Sequence, residues 1–451
     1  MLISANIRRE TLLSYLIKVS TIALLFVLLP MVFGSMGSST TFSNFLCSIS
    51  CYFVLVVVSA KMILNESKLV RYFVIAYFSM VVLSLVHYLV FVDSQYFQSS
   101  GSGSGNFYHE YLTAINGVER IVEFKKTNGI FSIIESNSWE LPHAEIWSLI
   151  SIPFYFLKVQ WMNMAPFNIY CSLFFAMNIF YVYRNSYKEG VMKKSVLGWL
   201  VYFPLFILGD TFWRDPLGFA LCSIGMVTLF LSRNTREKLI SLFIACFLSY
   251  LQRTVYPVLL IGCFSLYYVL SLKSKSLKVI SIILVFLILF ILTPMLENSV
   301  DEGYTKAYIN SSSFIMLPIK IVFGLIGPFP WTGFLVYKTN PEFSFELPQY
   351  VLGTFQFGYL LSILALFKKI NFRQLDIMTM FGFALMLSGF VTLQMHIGYI
   401  AEGLMFTLPW FFEQVGLLYK KYFNVSLAIL VFLNILIMAT GHLSLGSLLW
   451  K

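Results

Sequence analysis

Four charged residues lie next to apolar segments, where they could bind a phosphate-bearing ligand. Arg214 and Asp215 separate two apolar runs, Arg253 separates the next two, and Asp93 follows an earlier run. A guanidinium group stays charged and can hold two phosphate oxygens at once. Asp215 could orient Arg214 or bind a metal ion, and Asp93 could bind a metal or deprotonate a hydroxyl group. These four are the candidate catalytic residues.

A structural explanation competes with this interpretation. An arginine at a membrane edge extends to the lipid headgroups and pairs with a nearby carboxylate. Asp93 could likewise be an ordinary charge at the end of a helix in a solvated loop. The residues alone leave both interpretations open.

A second set contains candidate substrate-binding residues. They are His109, Glu110, Glu140, His143, Trp331, His396 and Glu402. Trp331 ends the sequence Gly-Pro-Phe-Pro-Trp, and its indole could form a wall for a sugar ring or anchor the chain at the membrane interface. Each of the others could instead be a structural or solvated surface residue.

The elements that must position these residues are membrane helices. Hydrophobic residues make up 58% of the chain and charged residues 12%, whereas a typical soluble domain has about 25% charged residues. Most Lys and Arg residues, which give the net charge of +10, cluster at the N-terminus and in short loops. Such loops mark the cytoplasmic side of a membrane, so the positive charge predicts no nucleic-acid partner. The basic loops are 61–71, 184–194, 233–238, 273–278, 368–376 and 420–421.

The hydropathy pattern predicts an all-α polytopic membrane protein, a single integral membrane domain over 1–451, with about 11–13 transmembrane helices. The predicted spans nearest the candidate residues are 16–34, 44–64, 72–92, 166–183, 196–213, 217–232, 239–251 and 254–272. The segment 239–251 is short for a span, so it is tilted or extends past Gln252. Segment 16–34 is interpreted as the first span rather than as a cleaved signal peptide.

The basic loops predict a cytoplasmic N-terminus and two large extracytoplasmic loops. The first, 93–161, contains a helix at the membrane interface over 146–161. The second, 297–349, contains the segment 314–331, which is re-entrant or interfacial because its closely spaced prolines cannot continue a membrane helix. The loop 394–403 is also predicted outside. This topology places Asp93, the Arg214-Asp215 pair and Arg253 on one extracytoplasmic face.

Several other chemistries lack support in the sequence. The six cysteines form no C-x-x-C pair, so neither a zinc site nor a disulfide framework is indicated. The chain has no P-loop, no H-E-x-x-H helix and no G-x-S-x-G elbow, so an ATP-driven pump, a zinc protease and a serine hydrolase are not supported.

The layout resembles the GT-C superfamily of polyprenyl-phosphate-dependent glycosyltransferases, and most of all the Wzy-type repeat-unit polymerases of bacterial O-antigens and capsules. The resemblance is carried by Asp93 at the start of a large outer loop, by the Arg214-Asp215 pair at the start of a helix, by Arg253, and by the later Gly-Pro-Phe-Pro-Trp. Arg214 and Gly225 also match the R-x10-G spacing of some polymerases, but here the spacing runs down a helix. The chain departs from the pattern in having two spans before the one that ends at Asp93, and Ser94 in place of a second acid.

The resemblance implies a multi-pass enzyme of the bacterial inner membrane. Its substrate would be an undecaprenyl-pyrophosphate-linked oligosaccharide in the membrane lipid, and a chain-length regulator would be a further partner. Arg214 and Arg253 would lie near the pyrophosphate, and Asp93 would be the leading acid. The resemblance implies no definite cofactor, although the carboxylates could bind a divalent metal ion.

Three alternatives remain. The first is a GT-C glycosyltransferase that uses a polyprenyl-phosphate sugar. The second is a flippase or other transporter of the lipid-linked oligosaccharide, although transporters favour charged residues deep within bundle-facing helices and often have repeated halves. The third is a glucosyl or acyl transferase that modifies O-antigen.

Overall fold

The computed structural model describes residues 11–37, 41–91, 161–186, 215–252, 256–271, 358–359, 361–367, 375–391 and 397–415, with isolated positions beyond 271 and 415. Its helices are α1 (Leu12–Met36), α2 (Thr41–Leu64), α3 (Ser67–Phe91), α4 (Trp161–Ser186), α5 (Asp215–Leu231), α6 (Thr235–Gln252), α7 (Tyr256–Ser271), α8 (Ile377–Val391) and α9 (Ile397–Val415). These ranges contain no β-strand, which confirms the all-α prediction for this part of the chain.

Three of the described helices are long and apolar enough to cross a membrane. They are Leu12–Met36, Phe42–Leu64 and Ala165–Tyr183, and they overlap three of the predicted spans. The protein therefore has the helical character of a membrane protein. The predicted span 196–213, the segment 314–331 and both large loops, apart from Trp161 at the start of α4, lie outside the described residues, so the number of spans stays a prediction.

Side chains at the helix starts explain where several helices begin. The Thr11 hydroxyl accepts a hydrogen bond from the Ser14 N–H at 3.2 Å at the start of α1. At the start of α8, the Asp376 carboxylate accepts from the Thr379 N–H at 2.7 Å. Both bonds satisfy an N–H group that has no partner within the helix. Between α2 and α3, Asn65 adopts a positive φ of 50°, a conformation that Asn tolerates and that ends a helix.

A capping box joins α5 to α6. The Asn234 side chain accepts a hydrogen bond from the Glu237 N–H at 2.8 Å. In return, the Glu237 carboxylate accepts from the Arg233 N–H at 2.7 Å and from the Asn234 amide at 2.9 Å. Ser232 and Ser241 are hydrogen-bonded across the turn at 2.6 Å. These bonds fix a tight hairpin between the two helices.

The chain divides into two compact units, and α4 is the central helix of the first. Unit 1 comprises residues 1–186 and 208–257. Within it, α4 packs against α2, α3 and α5, so that its segment Ala165–Tyr183 is almost entirely buried. By contrast, α1 exposes many large apolar side chains, among them Leu13, Ile17 and Leu24. Unit 1 is therefore a bundle with one enclosed helix and apolar outer faces.

Contacts with α4 fix the direction of the other helices in unit 1. Tyr15 contacts Asn178 and Tyr181, whereas Phe26 contacts Phe167, so α1 runs antiparallel to α4. The contacts of α5 advance in the same direction as α4, from Phe175–Phe219 to Asn178–Ser223. The hairpins α1–α2, α2–α3 and α5–α6 reverse the chain at each turn.

Unit 2 contains residues 187–207 and 258–451, and within its described part α8 packs closely against α9. A Cβ at Gly382 would lie 2.7 Å from the Gly403 carbonyl oxygen, and one at Gly403 would lie 2.6 Å from the Gly382 carbonyl oxygen. The two backbones therefore touch where neither residue has a side chain. Phe381 and Phe406 pack edge to face nearby, with 5.7 Å between the ring centroids.

Two predicted boundaries are wrong. The short segment 239–251 is extended at its N-terminal end, because the capping box at Asn234 starts α6 before its first apolar run. The predicted loop 394–403 is helical from Ile397 onward, since α9 begins there. In both places the helix continues through charged residues that the hydropathy pattern assigns to loops.

Candidate functional site

The helix ends of unit 1 form two faces with different charge. At one end, which we call the basic end, lie the start of α1, the turns 64–67 and 231–235, and the end of α4. Exposed basic side chains on these turns and the adjoining helix ends are Lys61, Lys68, Arg71, Arg233 and Arg236. At the other end, the far end, α3 and α6 finish at Phe91 and Gln252, and α5 begins at Asp215.

The candidate catalytic residues are next in sequence to the helix ends that lie at the far end. The terminal turns described there, at the ends of α1, α3 and α6 and the starts of α2, α4 and α5, contain no Lys or Arg. Three of the four candidates follow or precede these helix ends in sequence, namely Asp93 after α3, Arg214 before α5, and Arg253 after α6. These three residues themselves lie outside the described part of the chain.

Asp215 is the first residue of α5, and Pro216 follows it. Proline suits the first turn of a helix because its missing N–H would have no partner there. An acidic residue at the same place interacts favourably with the helix dipole. The residue types at 215 and 216 therefore account for where α5 begins.

A ladder of buried polar side chains, the polar ladder, joins α1, α4 and α5. The Tyr15 hydroxyl donates to the Asn178 side-chain oxygen at 3.0 Å. The Asn178 amide donates to the Ser223 hydroxyl at 2.9 Å, and that hydroxyl donates to the Ala220 carbonyl at 2.7 Å. Tyr15, Asn178 and Ser223 are all 0% exposed. The first bond joins α1 to α4 and the second joins α4 to α5, so the polar ladder fixes the position of α5 along α4.

Two further polar contacts fix α2. Ser59 and Tyr170 are hydrogen-bonded at 3.2 Å, which joins α2 to α4. The Tyr77 hydroxyl donates to the Ile49 carbonyl at 2.8 Å, which joins α3 to α2. Polar bonds between helices set their register in a membrane, where apolar contacts with lipid and with protein are similar in energy.

The polar ladder was missed by reasoning from the sequence. Asn178 lies in an apolar segment with no charged residue close to it, and an amide in that setting is a signal that a partner exists. The pattern does not identify the partner, since Tyr15 is 163 residues away along the chain.

Glu402 is the one candidate substrate-binding residue that the structure describes. The prediction that it lies in a loop is wrong, because it lies within α9 and is 0% exposed. The residue beside it is Gly403, at the close contact with α8. The remaining candidates, His109, Glu110, Glu140, His143, Trp331 and His396, lie outside the described residues.

Metal ligands do not cluster in the described ranges, where no three His, Cys, Asp or Glu side chains come together. The six cysteines are all free thiols in apolar helices. Comparison with protein-family models, with curated proteins and with solved structures finds no match to this chain.

Proposed function

We propose that this protein is a glycan-assembling enzyme of the bacterial inner membrane, of the repeat-unit polymerase type. It would transfer a growing O-antigen or capsule glycan from undecaprenyl pyrophosphate to the next lipid-linked repeat at the periplasmic face. The N-terminus would be cytoplasmic, with about 11–13 spans and the two large loops outside. The site would use Asp93, Arg214, Asp215 and Arg253.

The reaction would be a substitution at the anomeric carbon of the donor glycan. An acceptor sugar hydroxyl attacks this carbon and forms the new glycosidic bond, while the bond from carbon to pyrophosphate oxygen breaks. Asp93 accepts the hydroxyl proton. Arg214 and Arg253 stabilise the negative charge that develops on the departing lipid pyrophosphate. The reaction needs no nucleotide sugar.

One observation carries the proposal. The ends of α3 and α6 and the start of α5 lie at the far end of unit 1, whereas the exposed basic residues described in unit 1 lie at the basic end. A chain in which basic loops are cytoplasmic would therefore have these three helix ends on the other side of the membrane. The acid and both arginines are next to these ends in sequence.

The test is to replace Arg214 and Arg253 with Ala, singly, in the native host. We expect each variant to insert normally and to lose glycan chain extension, measured on a ladder gel of lipopolysaccharide or capsule. Arg233→Ala is the matched control, because Arg233 is an exposed arginine at the basic end, and it should retain the normal ladder. Normal chain lengths in both the Arg214 and Arg253 variants would refute the site.

A second candidate function is transport of the lipid-linked oligosaccharide. It is favoured by Glu402, whose carboxylate lies on α9 and is buried, since ionisable residues deep in helix bundles are typical of transporters. Deletion of the gene separates the two functions. A polymerase defect leaves single repeats on the core lipid, whereas a transport defect leaves no repeats at the cell surface.

A further inference from the structure

Two helices of unit 1 each carry an exposed stripe that begins with an arginine at the basic end. On α3 the stripe is Arg71, Ile75, Phe78 and Val82, and on α6 it is Arg236, Ile240, Phe243, Phe247 and Tyr250. The first four members of each stripe have the same spacing, with steps of four, three and four residues. Residues at this spacing share one face of a helix. Both stripes therefore consist of one cation followed by an apolar face.

The dimensions of the stripes match one leaflet of a bilayer. From Arg71 to Val82, and from Arg236 to Phe247, the helix rises by about 16 Å. The hydrocarbon core of a bilayer is about 30 Å thick, so one leaflet contributes roughly half of that. Each stripe could thus accommodate the full length of a phospholipid, with its phosphate beside the arginine and an acyl chain along the apolar residues.

The side chains of both stripes are exposed and therefore accessible to a lipid. Phe243 is 74% exposed and Val82 is 56% exposed, while the opposite side of each helix packs within unit 1. The nearest acidic residue on α6, Glu237, already accepts hydrogen bonds from the Arg233 N–H and the Asn234 amide. The charge presented by the α5–α6 turn is therefore mainly positive, which complements an anionic headgroup.

We propose that the faces led by Arg71 and Arg236 are binding sites for anionic phospholipids in the leaflet at the basic end of unit 1. The guanidinium binds the headgroup phosphate with two hydrogen bonds, and the apolar residues below it contact an acyl chain. This proposal needs only a membrane location, and it is independent of the reaction proposed above. It concerns the end of the bundle opposite to the candidate site.

The test uses the full-length protein, purified in detergent and titrated with phosphatidylglycerol or phosphatidylcholine of identical acyl chains. Native mass spectrometry counts the lipids retained. We expect the protein to retain phosphatidylglycerol preferentially, and Arg71→Gln or Arg236→Gln to weaken this retention about fivefold at one stripe. Lys68→Gln and Arg233→Gln are matched controls, since each removes an exposed cation from the same turn but not from the stripe, and they should have little effect.

Two further variants separate a lipid site from general charge attraction. Phe243→Ala should lower retention of phosphatidylglycerol while leaving the arginine in place. Arg236→Lys keeps the charge but not the paired hydrogen bonds, so it should keep only part of the headgroup preference. Equal retention of the two lipids by the unmodified protein would overturn the proposal. So would equal losses in Arg236→Gln and Arg233→Gln, because the position on the stripe would then be irrelevant. Circular dichroism checks that each variant is folded.

Discussion

Replacing Asn178 with Leu should break the polar ladder at its centre. Leu has nearly the shape of Asn but cannot accept from the Tyr15 hydroxyl at 3.0 Å or donate to the Ser223 hydroxyl at 2.9 Å. All three side chains are fully buried, so water does not replace the lost partner. The variant therefore loses two hydrogen bonds in an apolar core and takes the acceptor on α4 from the Tyr15 hydroxyl, while the Ser223 hydroxyl keeps its bond to the Ala220 carbonyl.

The size of the effect follows from these contacts. Hydrogen bonds between membrane helices contribute on average about 0.6 kcal/mol and at most about 1.7 kcal/mol each. A buried polar group that loses its partner adds a penalty of about 1–3 kcal/mol. We therefore expect Asn178→Leu to lower the free energy of unfolding by about 2 kcal/mol.

A double-mutant cycle isolates the bond between Tyr15 and Asn178. Tyr15→Phe removes the hydroxyl that Asn178→Leu would leave without its acceptor, so the double variant should lose about 1 kcal/mol less than the sum of the single losses. Tyr77→Phe is the matched control, since its hydroxyl bonds to the Ile49 carbonyl instead. It should be additive with Asn178→Leu within about 0.5 kcal/mol.

The measurement is chemical denaturation of the purified protein in mixed micelles, followed by circular dichroism. The free energies of unfolding of all single and double variants are compared under the same conditions. An additive result for Tyr15→Phe with Asn178→Leu would refute the reasoning. So would an equal coupling for the Tyr77 pair, because the effect would then not depend on the direct bond.

Two other predictions concern the α5–α6 hairpin. Gly225→Ala should lower the free energy of unfolding by about 1–3 kcal/mol, because a Cβ there would lie 2.6 Å from the Ala245 Cα. Phe230 is an exposed residue of the same helix, so Phe230→Ala should lower it much less. Equal losses of stability, measured by thermal unfolding, would contradict the close contact. Glu237→Ala should cost about 1 kcal/mol and speed amide hydrogen exchange in the first turn of α6, whereas Glu237→Gln, which keeps an acceptor oxygen, should do less. Unchanged exchange in the Ala variant would argue against the capping box.

Much of the helical layout was predictable because apolar runs require helices in a membrane. The prediction failed where charge and helix overlap. Hydropathy excludes Arg236 and Lys238 from a span, yet α6 begins before them. The signal that sets this start is local and visible in the sequence, since Asn234 and Glu237 have the spacing of a capping box.

The burial of Glu402 shows a different limit. The carboxylate interrupts the apolar run and so predicts a loop, but Gly382 and Gly403 allow α8 and α9 to touch beside it. This contact depends on two glycines from separate helices, and no local pattern encodes it. For the candidate catalytic residues, the charges of the loops alone predict that they lie on the same side of the membrane. The structure describes the helix ends next to them in unit 1, and these ends lie together at the far end.

The enclosure of α4 has a consequence for how this protein is made. Its segment Ala165–Tyr183 contains Asn168 and Asn178, both buried against other helices, and polar residues of this kind disfavour the transfer of a nascent helix into lipid. The helix would therefore leave the translocon with difficulty on its own. Tyr15 of α1, which is synthesised earlier, supplies a hydrogen-bond donor to Asn178. The order of the helices along the chain therefore favours the insertion of α4.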